Sequence, residues 1–226
     1  MKKKYNRCLE NRSFSFSVDA KENDNESILY GKPIIYSSRT NLNYFDEVIE
    51  PGALDNTNLK DVRFLVNHDT SKIPLARSRN NNGNSTMKLT PTSTGLEIEV
   101  KLDTENNSEA RSLFSAVKRG DISGMSFMFS IDENGDDWEG LETEHPLRHV
   151  RSIKDLVEVS AVTFPAYEST SINARASNET LDNVRSVLEN ARSKVNLLDS
   201  KNEKDLLDSN KDLDLAKNKF NFYYKY

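Results

Sequence analysis

Large apolar side chains occupy every second position along residues 125–131, directly after a turn marked by Gly120 and Gly124. Successive side chains of a β-strand point to opposite faces, so this alternation divides the stretch into two sets. The first set contains Met125, Phe127 and Phe129, and the second contains Ser126, Met128 and Ser130. Because the first set needs a hydrophobic core to pack on, the stretch predicts a strand that holds Ser126 in a fixed direction on its opposite face.

The rest of the pattern is mostly that of short strands, with one clear helix before the 125–131 strand. Alternating or β-branched runs predict strands at 13–18, 62–67, 87–89, 95–102 and within 150–164. Residues 107–119 carry an apolar stripe at helical spacing, with Asn107 or Ser108 as the N-cap and Gly120 as the stop. This mixture predicts an α+β fold.

Two connecting stretches are harder to assign. Pro33 cannot donate a ladder hydrogen bond, so residues 27–38 are expected at a sheet edge, at a bulge or at the start of a strand. Residues 132–144 form an acidic, glycine-containing excursion with no predicted strand.

A helical seam distinguishes the C-terminal part of the chain. Its apolar residues are spaced alternately by three and four positions, as in a heptad repeat, and they are Leu181, Val184, Leu188, Ala191, Val195 and Leu198. Such a stripe needs a partner, which is either a second helix in a coiled coil or the chain's own domain. The sequence thus predicts a flexible N-terminus at 1–12, a folded domain at 13–175 and a helical tail at 176–226 that is partly coiled coil or disordered.

Composition narrows the classes of partner. The chain of 226 residues carries a net charge of -5 and has no long basic stripe, which disfavours nucleic acid as its main partner. No apolar run is long enough to span a membrane, and no apolar segment follows the basic N-terminus as in a signal peptide. The one cysteine, Cys8, excludes an internal disulfide and fits a reducing compartment. We therefore expect a protein that is cytosolic when synthesised and has no membrane partner.

The three histidines supply the candidates for metal binding and for general base catalysis. His145 and His149 could share a metal with Glu142 or Glu144, but Pro146 disfavours the helix that would bring the two histidines together. The sequence also contains no cysteine cluster and no glycine-rich phosphate loop. The remaining option is a serine nucleophile, a base that accepts its proton and a third group that orients the base.

The predicted faces of two strands support such a site. In the run within 150–164, the core face is predicted to contain Val157, Val159 and Ala161, and the opposite face Leu156, Glu158 and Ser160. Glu158 and Ser126 would then both lie opposite a core face, and His68 ends the strand at 62–67. From the residues alone, the alternative that Ser126 and His68 are ordinary structural residues stays open.

Four motifs resemble the tailed-phage prohead (capsid maturation) serine proteases. They are Phe45–Leu54, Phe64–Asp69, Lys118–Phe129 and Glu158–Tyr167, and they occur in the order and spacing of that family over about residues 13–175. The family is similar in fold to the herpesvirus assembly proteases. The resemblance implies a small, mostly antiparallel β-barrel decorated by helices at 13–175, followed by the amphipathic or coiled-coil helix.

The resemblance also implies the roles of individual residues. Ser126 matches the nucleophile and His68 the general base, while Glu158 falls where the herpesvirus-type enzymes have their third member. His149 and Asp69 are alternatives for that third member. The resemblance does not identify the oxyanion donors; backbone amides in the loop after Phe164 are candidates, although Pro165 has no N–H to donate. No cofactor or metal is implied.

Two departures from the family accompany these matches. Met128 and Ala76 stand where the family often has glycine, so the substrate specificity or activity of this chain could differ from that of its relatives.

The function implied is that of a serine endopeptidase. It would cleave scaffold and major capsid proteins, and itself, during prohead maturation in the host cytoplasm, within the assembling prohead. The tail helix would tether it to scaffold helices or to a second protomer, so self-association as a homodimer or larger oligomer is expected. The alternative is a non-catalytic capsid-assembly module that uses the helix at 177–219 to organise the capsid.

Overall fold

The computed structural model describes residues 9–14, 18–23, 26–163 and 182–197, and in this part the chain is an α+β protein. Strands and helices follow one another as β1 Glu10–Phe14, β2 Asp19–Asn23, β3 Glu26–Ile35, β4 Thr40–Asn41, β5 Asp46–Ile49, β6 Val62–Val66, β7 Ala76–Ser78, β8 Met87–Thr92, β9 Gly95–Leu102, α1 Ser108–Arg119, β10 Gly124–Ile131, β11 Asp136–Glu139, β12 Leu147–Val150, β13 Ile153–Val162 and α2 at residues 182–197. Neither described helix is long and apolar enough to cross a membrane.

The strands form three sheets. The first has the order β1-β10-β13-β6-β7, the second β11-β12-β5-β4 and the third β2-β3-β9-β8. Only β12 with β5 and β13 with β6 pair in parallel. Each strand order is open over the described residues, so the predicted α+β class is confirmed and a closed barrel is not.

Helix α1 has the predicted capping residues. The Asn107 side chain accepts hydrogen bonds from the backbone N–H groups of Glu109 and Ala110, and Gly120 ends the helix at a φ of 80°. This left-handed conformation is readily adopted by glycine because it has no Cβ. The buried stripe consists of Ala110, Leu113, Phe114 and Val117. Both ends of the helix and its core-facing side therefore follow from local sequence.

Strand β3 is central, between β2 and β9, and its register with β9 shifts between Gly31 and Ile34. The prediction of an edge is therefore wrong and that of a bulge is confirmed, because the irregularity accommodates Pro33 inside a paired strand. A Cβ on Gly31 would lie 2.2 Å from the Met125 sulfur. Glycine at this position thus allows the third sheet to approach β10 closely.

The first strand begins earlier than predicted. Residues 1–12 were expected to be flexible, but β1 starts at Glu10, and the side chains of Glu10 and Arg12 are buried. Their charges are paired with Glu47 and Arg148, which are distant in sequence. This pairing cannot be predicted from a polar stretch of sequence, because the partners are distant. Residues 1–8 lie outside the described part.

Strand β13 carries a β-bulge that changes its predicted faces. Met128 pairs with Glu158 and Phe129 with Leu156, which leaves Val157 as an extra residue. Leu156 is consequently in the core and Val157 is only partly buried, the reverse of the prediction for these two residues. After the bulge, the alternation is as predicted from Glu158 to Ala161.

The chain divides into two compact units, Met1–Val184 and Arg185–Tyr226. Of the second unit, residues 185–197 are described and are helical. The predicted tail helix is present over this range, whereas Leu181 and Leu198 of the seam lie outside the described residues. The coiled coil is not confirmed, and the domain limits at 12/13 and 175/176 stay predictions.

Candidate active site

Strand β10 holds Ser126 against a rigid base. Met125, Phe127 and Phe129 are all at most 1% exposed and belong to the hydrophobic core. Ser126 lies in the same strand on the opposite face and pairs in register with Ser160 of β13. The direction of the Ser126 side chain is thus fixed by the packing of its neighbours, as the alternation predicted.

A left-handed turn after β6 positions His68. Asn67 and His68 have φ values of 53° and 59°, a conformation uncommon for residues other than glycine. The Asn67 backbone N–H donates to the Ala161 carbonyl at 2.9 Å, and its side-chain amide is hydrogen-bonded to Thr163 in both directions. These contacts attach the turn to the end of β13 and hold the imidazole beside that strand.

The structure brings together the three residues assigned to the site from sequence. His68 Nε2 lies 2.5 Å from Ser126 Oγ, and His68 Nδ1 lies 2.5 Å from Glu158 Oε1. Because a carboxylate only accepts hydrogen bonds, Nδ1–H donates to Glu158 and Nε2 is left to accept the Ser126 proton. This is the order of contacts that a nucleophile, its base and an orienting acid require.

Burial differs among these three side chains. Ser126 is fully buried and Glu158 is 1% exposed, whereas the His68 side chain is 20% exposed. A buried carboxylate pairs strongly with an adjacent cation because little water screens the charge. The arrangement therefore favours an imidazolium on His68 at the moment when it takes up a proton.

A fourth residue, Ser160, completes the hydrogen bonding of the site. Its hydroxyl donates to Glu158 Oε2 at 2.5 Å and accepts from the His68 backbone N–H at 3.1 Å. Sequence reasoning placed Ser160 on the face of Glu158 but gave it no role. Ser160 could have been predicted from its position two residues after Glu158, because residues two apart in a strand lie on the same face.

The backbone of β1 also contacts Ser126, which sequence reasoning missed because it expected residues 1–12 to be flexible. Ser126 Oγ donates to the Arg12 carbonyl at 2.8 Å. The single Ser126 proton therefore has two acceptors among the residues named here, His68 Nε2 and the Arg12 carbonyl. When His68 is protonated, its Nε2–H donates to Oγ and the serine proton is directed to Arg12.

The structure places both alternatives for the third member elsewhere. His149 Nδ1 is 2.6 Å from Glu50 Oε1, on the second sheet. The Asp69 carboxylate accepts hydrogen bonds from Ser71, which lower the pKa of Asp69. Glu158 is thus the carboxylate that contacts His68.

The histidines considered for metal binding each have a different carboxylate partner. His145 Nε2 is 2.8 Å from Asp46 Oδ1, while His149 contacts Glu50. Burial by itself would raise the pKa of Asp46, but hydrogen bonds from His145 and Arg39 outweigh it and lower that pKa. Over the described ranges, no three His, Cys, Asp or Glu side chains are grouped so that they could hold a metal ion.

Three further predicted positions are located as follows. Met128 is partly buried and pairs with Glu158 across β10 and β13, so this departure from the family pattern lies at the site. Ala76 is buried in β7. The loop after Phe164, considered as a source of oxyanion donors, lies outside the described residues.

Comparison with known proteins gives one family. A family model described as caudovirus prohead serine protease matches residues 14–186. The prohead protease of Enterobacteria phage HK97 is 28% identical to this chain over 157 residues. That match covers 68% of this chain and 64% of the HK97 protein, so the chain spans less than two thirds of this relative's length. No solved structure matches the chain significantly.

Proposed function

The chain belongs to the caudovirus prohead serine protease family, and on that premise we propose that it is a serine endopeptidase whose nucleophile is Ser126, whose base is His68 and whose orienting acid is Glu158. The observation that carries this proposal is the 2.5 Å separation of His68 Nε2 and Ser126 Oγ, with Glu158 at the other imidazole nitrogen.

The proposed reaction is acyl transfer in two halves. His68 Nε2 takes the Ser126 proton as Oγ attacks the carbonyl carbon of a peptide bond, and the proton then passes to the leaving amine. In the second half a water molecule attacks the acyl ester, His68 takes its proton, and Ser126 Oγ leaves with that proton restored. Glu158 remains a carboxylate throughout, holding the tautomer of His68 and stabilising the imidazolium.

The proposed substrates are the scaffold and major capsid proteins of a phage and the chain itself, cleaved within the assembling prohead in the host cytoplasm. The family description and the name of the HK97 relative both refer to the prohead, which supports this choice. The proposal includes a small β-barrel fold of the herpesvirus assembly protease type. It also includes a tether through the apolar residues of α2 to scaffold helices or to a second protomer.

Coexpression tests the proposal directly. The full chain is produced together with its major capsid protein, either unaltered or as Ser126→Ala, and intact masses of both proteins are measured. We expect both proteins to be shortened with the unaltered chain and to keep full length with Ser126→Ala. Ser130→Ala is the matched control, since Ser130 is a buried serine of the same strand whose hydroxyl donates to Asp155, and cleavage should persist. Full-length proteins beside the unaltered chain would instead favour the non-catalytic assembly module.

A further inference from the structure

We propose that Ser160 is a positioning residue that fixes both the Glu158 carboxylate and the His68 backbone, and so holds the base in line with Ser126. This inference rests on the proposed function, because it assigns Ser160 a part in the same site. Ser160 is fully buried in β13, two residues after Glu158.

The directions of the hydrogen bonds around Ser160 are determined. The His68 backbone N–H can only donate, so Ser160 Oγ accepts that bond at 3.1 Å. The Ser160 hydroxyl hydrogen is then available for Glu158 Oε2 at 2.5 Å. Glu158 Oε1 accepts from His68 Nδ1–H, so both carboxylate oxygens have a donor. The three residues thus form a closed ring that begins at the His68 backbone and ends at its imidazole.

This ring restricts two motions, rotation of the Glu158 carboxylate and movement of the His68 backbone. A carboxylate can rotate about its terminal bond, and the Ser160 hydroxyl holds one oxygen so that the other faces Nδ1. The Ser160 oxygen also provides the acceptor for a backbone N–H in the left-handed turn at His68. Without Ser160, a buried carboxylate oxygen and the N–H of His68 would both lose their hydrogen-bond partner, which is costly in a buried site.

Ser130 offers a comparison that separates positioning from ordinary packing. It is also a buried serine of the same sheet, and its hydroxyl donates to a carboxylate, Asp155 Oδ2, at 3.2 Å. Asp155, however, accepts a hydrogen bond from Asn58, whereas the carboxylate that contacts His68 is Glu158. If buried serine–carboxylate contacts act only through stability, Ser160→Ala and Ser130→Ala should have similar consequences.

The first test measures how fast a fluorophosphonate modifies Ser126 in the full chain. In this reaction Ser126 Oγ bonds to phosphorus, fluoride leaves, and the serine proton passes to His68. We expect Ser160→Ala to slow modification by about 10- to 100-fold, the range that lost outer-shell hydrogen bonds cost at metal sites, while Ser130→Ala leaves the rate unchanged. Equal rates for Ser160→Ala and the unaltered chain would overturn the proposal.

A double-mutant cycle shows whether Ser160 acts through Glu158. Residues that act through each other give non-additive effects, whereas independent effects add. Ser160→Ala should therefore slow modification much less in a Glu158→Gln background than in the unaltered chain. Full additivity would contradict positioning. Ser160→Cys serves as a second variant, because it keeps the packing volume but donates a weaker hydrogen bond, and it should also slow modification.

A spectroscopic test does not depend on any chemical activity. The chain has three histidines, so ¹⁵N-histidine labelling allows the Nδ1–H proton of His68 to be assigned by comparison with His68→Ala. Its resonance should shift or broaden in Ser160→Ala and Ser160→Cys but not in Ser130→Ala. An unshifted resonance in folded Ser160 variants overturns the proposal. A shifted resonance in a chain that is never modified at Ser126 would refute the proposed peptidase and leave the positioning contact standing.

Discussion

Two buried polar clusters meet at Arg12, and they are built on different principles. The first, the ion cluster, consists of Glu10, Arg12, Glu47, Asp136 and Arg148. The second, the serine cluster, consists of His68, Ser126, Glu158 and Ser160. The Arg12 guanidinium belongs to the ion cluster, whereas the Arg12 carbonyl accepts a hydrogen bond from Ser126.

The ion cluster pairs two arginines with three carboxylates. Arg12 donates to both oxygens of Glu47 at 2.5 and 2.8 Å. Arg148 donates to Glu10 at 2.5 and 2.9 Å and to Asp136 at 2.8 Å. These bonds connect β1, β5, β11 and β12, so the cluster attaches the first strand to the second sheet. Since the side chains of both arginines are at most 1% exposed, any charge left unpaired there would be costly.

The serine cluster contains one residue that contacts both the hydroxyl and the carboxylate, His68, and that residue is its most exposed member. The His68 side chain is 20% exposed. Burial of charge thus attaches a strand in the ion cluster, and in the serine cluster it would support the proposed proton transfer from Ser126 to His68. The comparison predicts that changes in the serine cluster alter reaction rates and that changes in the ion cluster alter stability.

Replacement of the base should have the largest effect. His68→Ala removes the acceptor for the Ser126 proton, so cleavage of coexpressed capsid protein should slow by on the order of a million-fold if the residues act as a unit. Time-resolved intact-mass analysis measures this rate. His145→Ala is the matched control, because His145 is an exposed histidine paired with Asp46, and it should cleave normally. Normal cleavage by His68→Ala would contradict the prediction that changes in the serine cluster alter the reaction rate.

Replacement of the third member should cost less. Glu158→Gln keeps the shape of the side chain but removes the charge that stabilises the imidazolium, and we expect a loss of up to about 10⁴-fold in rate. His149→Gln, assayed beside it, removes a histidine that is paired with Glu50 instead and should retain full activity. Full activity in Glu158→Gln would remove Glu158 from the site.

Breaking the ion cluster should destabilise the chain without abolishing the chemistry. Arg148→Met leaves buried carboxylates without their partner, and such losses cost about 3–5 kcal/mol in the free energy of unfolding. Arg151→Met is the control, since Arg151 and its partner Asp137 are both exposed and such pairs contribute about 0–1 kcal/mol. Urea unfolding measures both. If Arg148→Met were no less stable than Arg151→Met, the cluster would have no anchoring role.

Acid should weaken the ion cluster with a defined sign. Burial by itself would raise the pKa of Glu10, but the charges of Arg148 and Arg12 outweigh it and lower that pKa from 4.5 to about 2. An acid with a lowered folded-state pKa stabilises the fold above its unfolded value, and this contribution, about 3 kcal/mol, is lost as the pH falls from about 4.5 towards 2. Glu10→Gln should therefore show a shallower loss of unfolding free energy between pH 5 and pH 3. Parallel pH profiles for the two proteins would contradict this assignment.

The sequence pattern was enough to predict which faces of β10 and β13 carry the site residues. It did not predict which other strands contact these residues. Alternation fixed the sides on which Ser126, Glu158 and Ser160 lie, and capping chemistry fixed both ends of α1. The bulge at Val157 was missed because one extra residue in a strand leaves no local signature when its neighbours are all β-formers.

The ion cluster could not be predicted for a related reason. Glu10, Arg12 and Asp136 occur in polar stretches that are typical of solvated termini and loops, which is also why β11 was not expected in the acidic excursion at 132–144. The burial of Glu10 and Arg12 depends on Arg148 and Glu47, which are more than thirty positions away in sequence. Ion pairs between residues so far apart in sequence can be identified only from the tertiary structure.

Mapping of the fluorophosphonate adduct tests the central claim most directly. The purified full chain is treated with the reagent, its intact mass is measured, and the modified residue is located by peptide sequencing in the mass spectrometer. The account predicts one adduct, on Ser126, that forms normally in Ser130→Ala and is absent from Ser126→Ala. An unmodified folded chain, or an adduct that persists in Ser126→Ala, would contradict it.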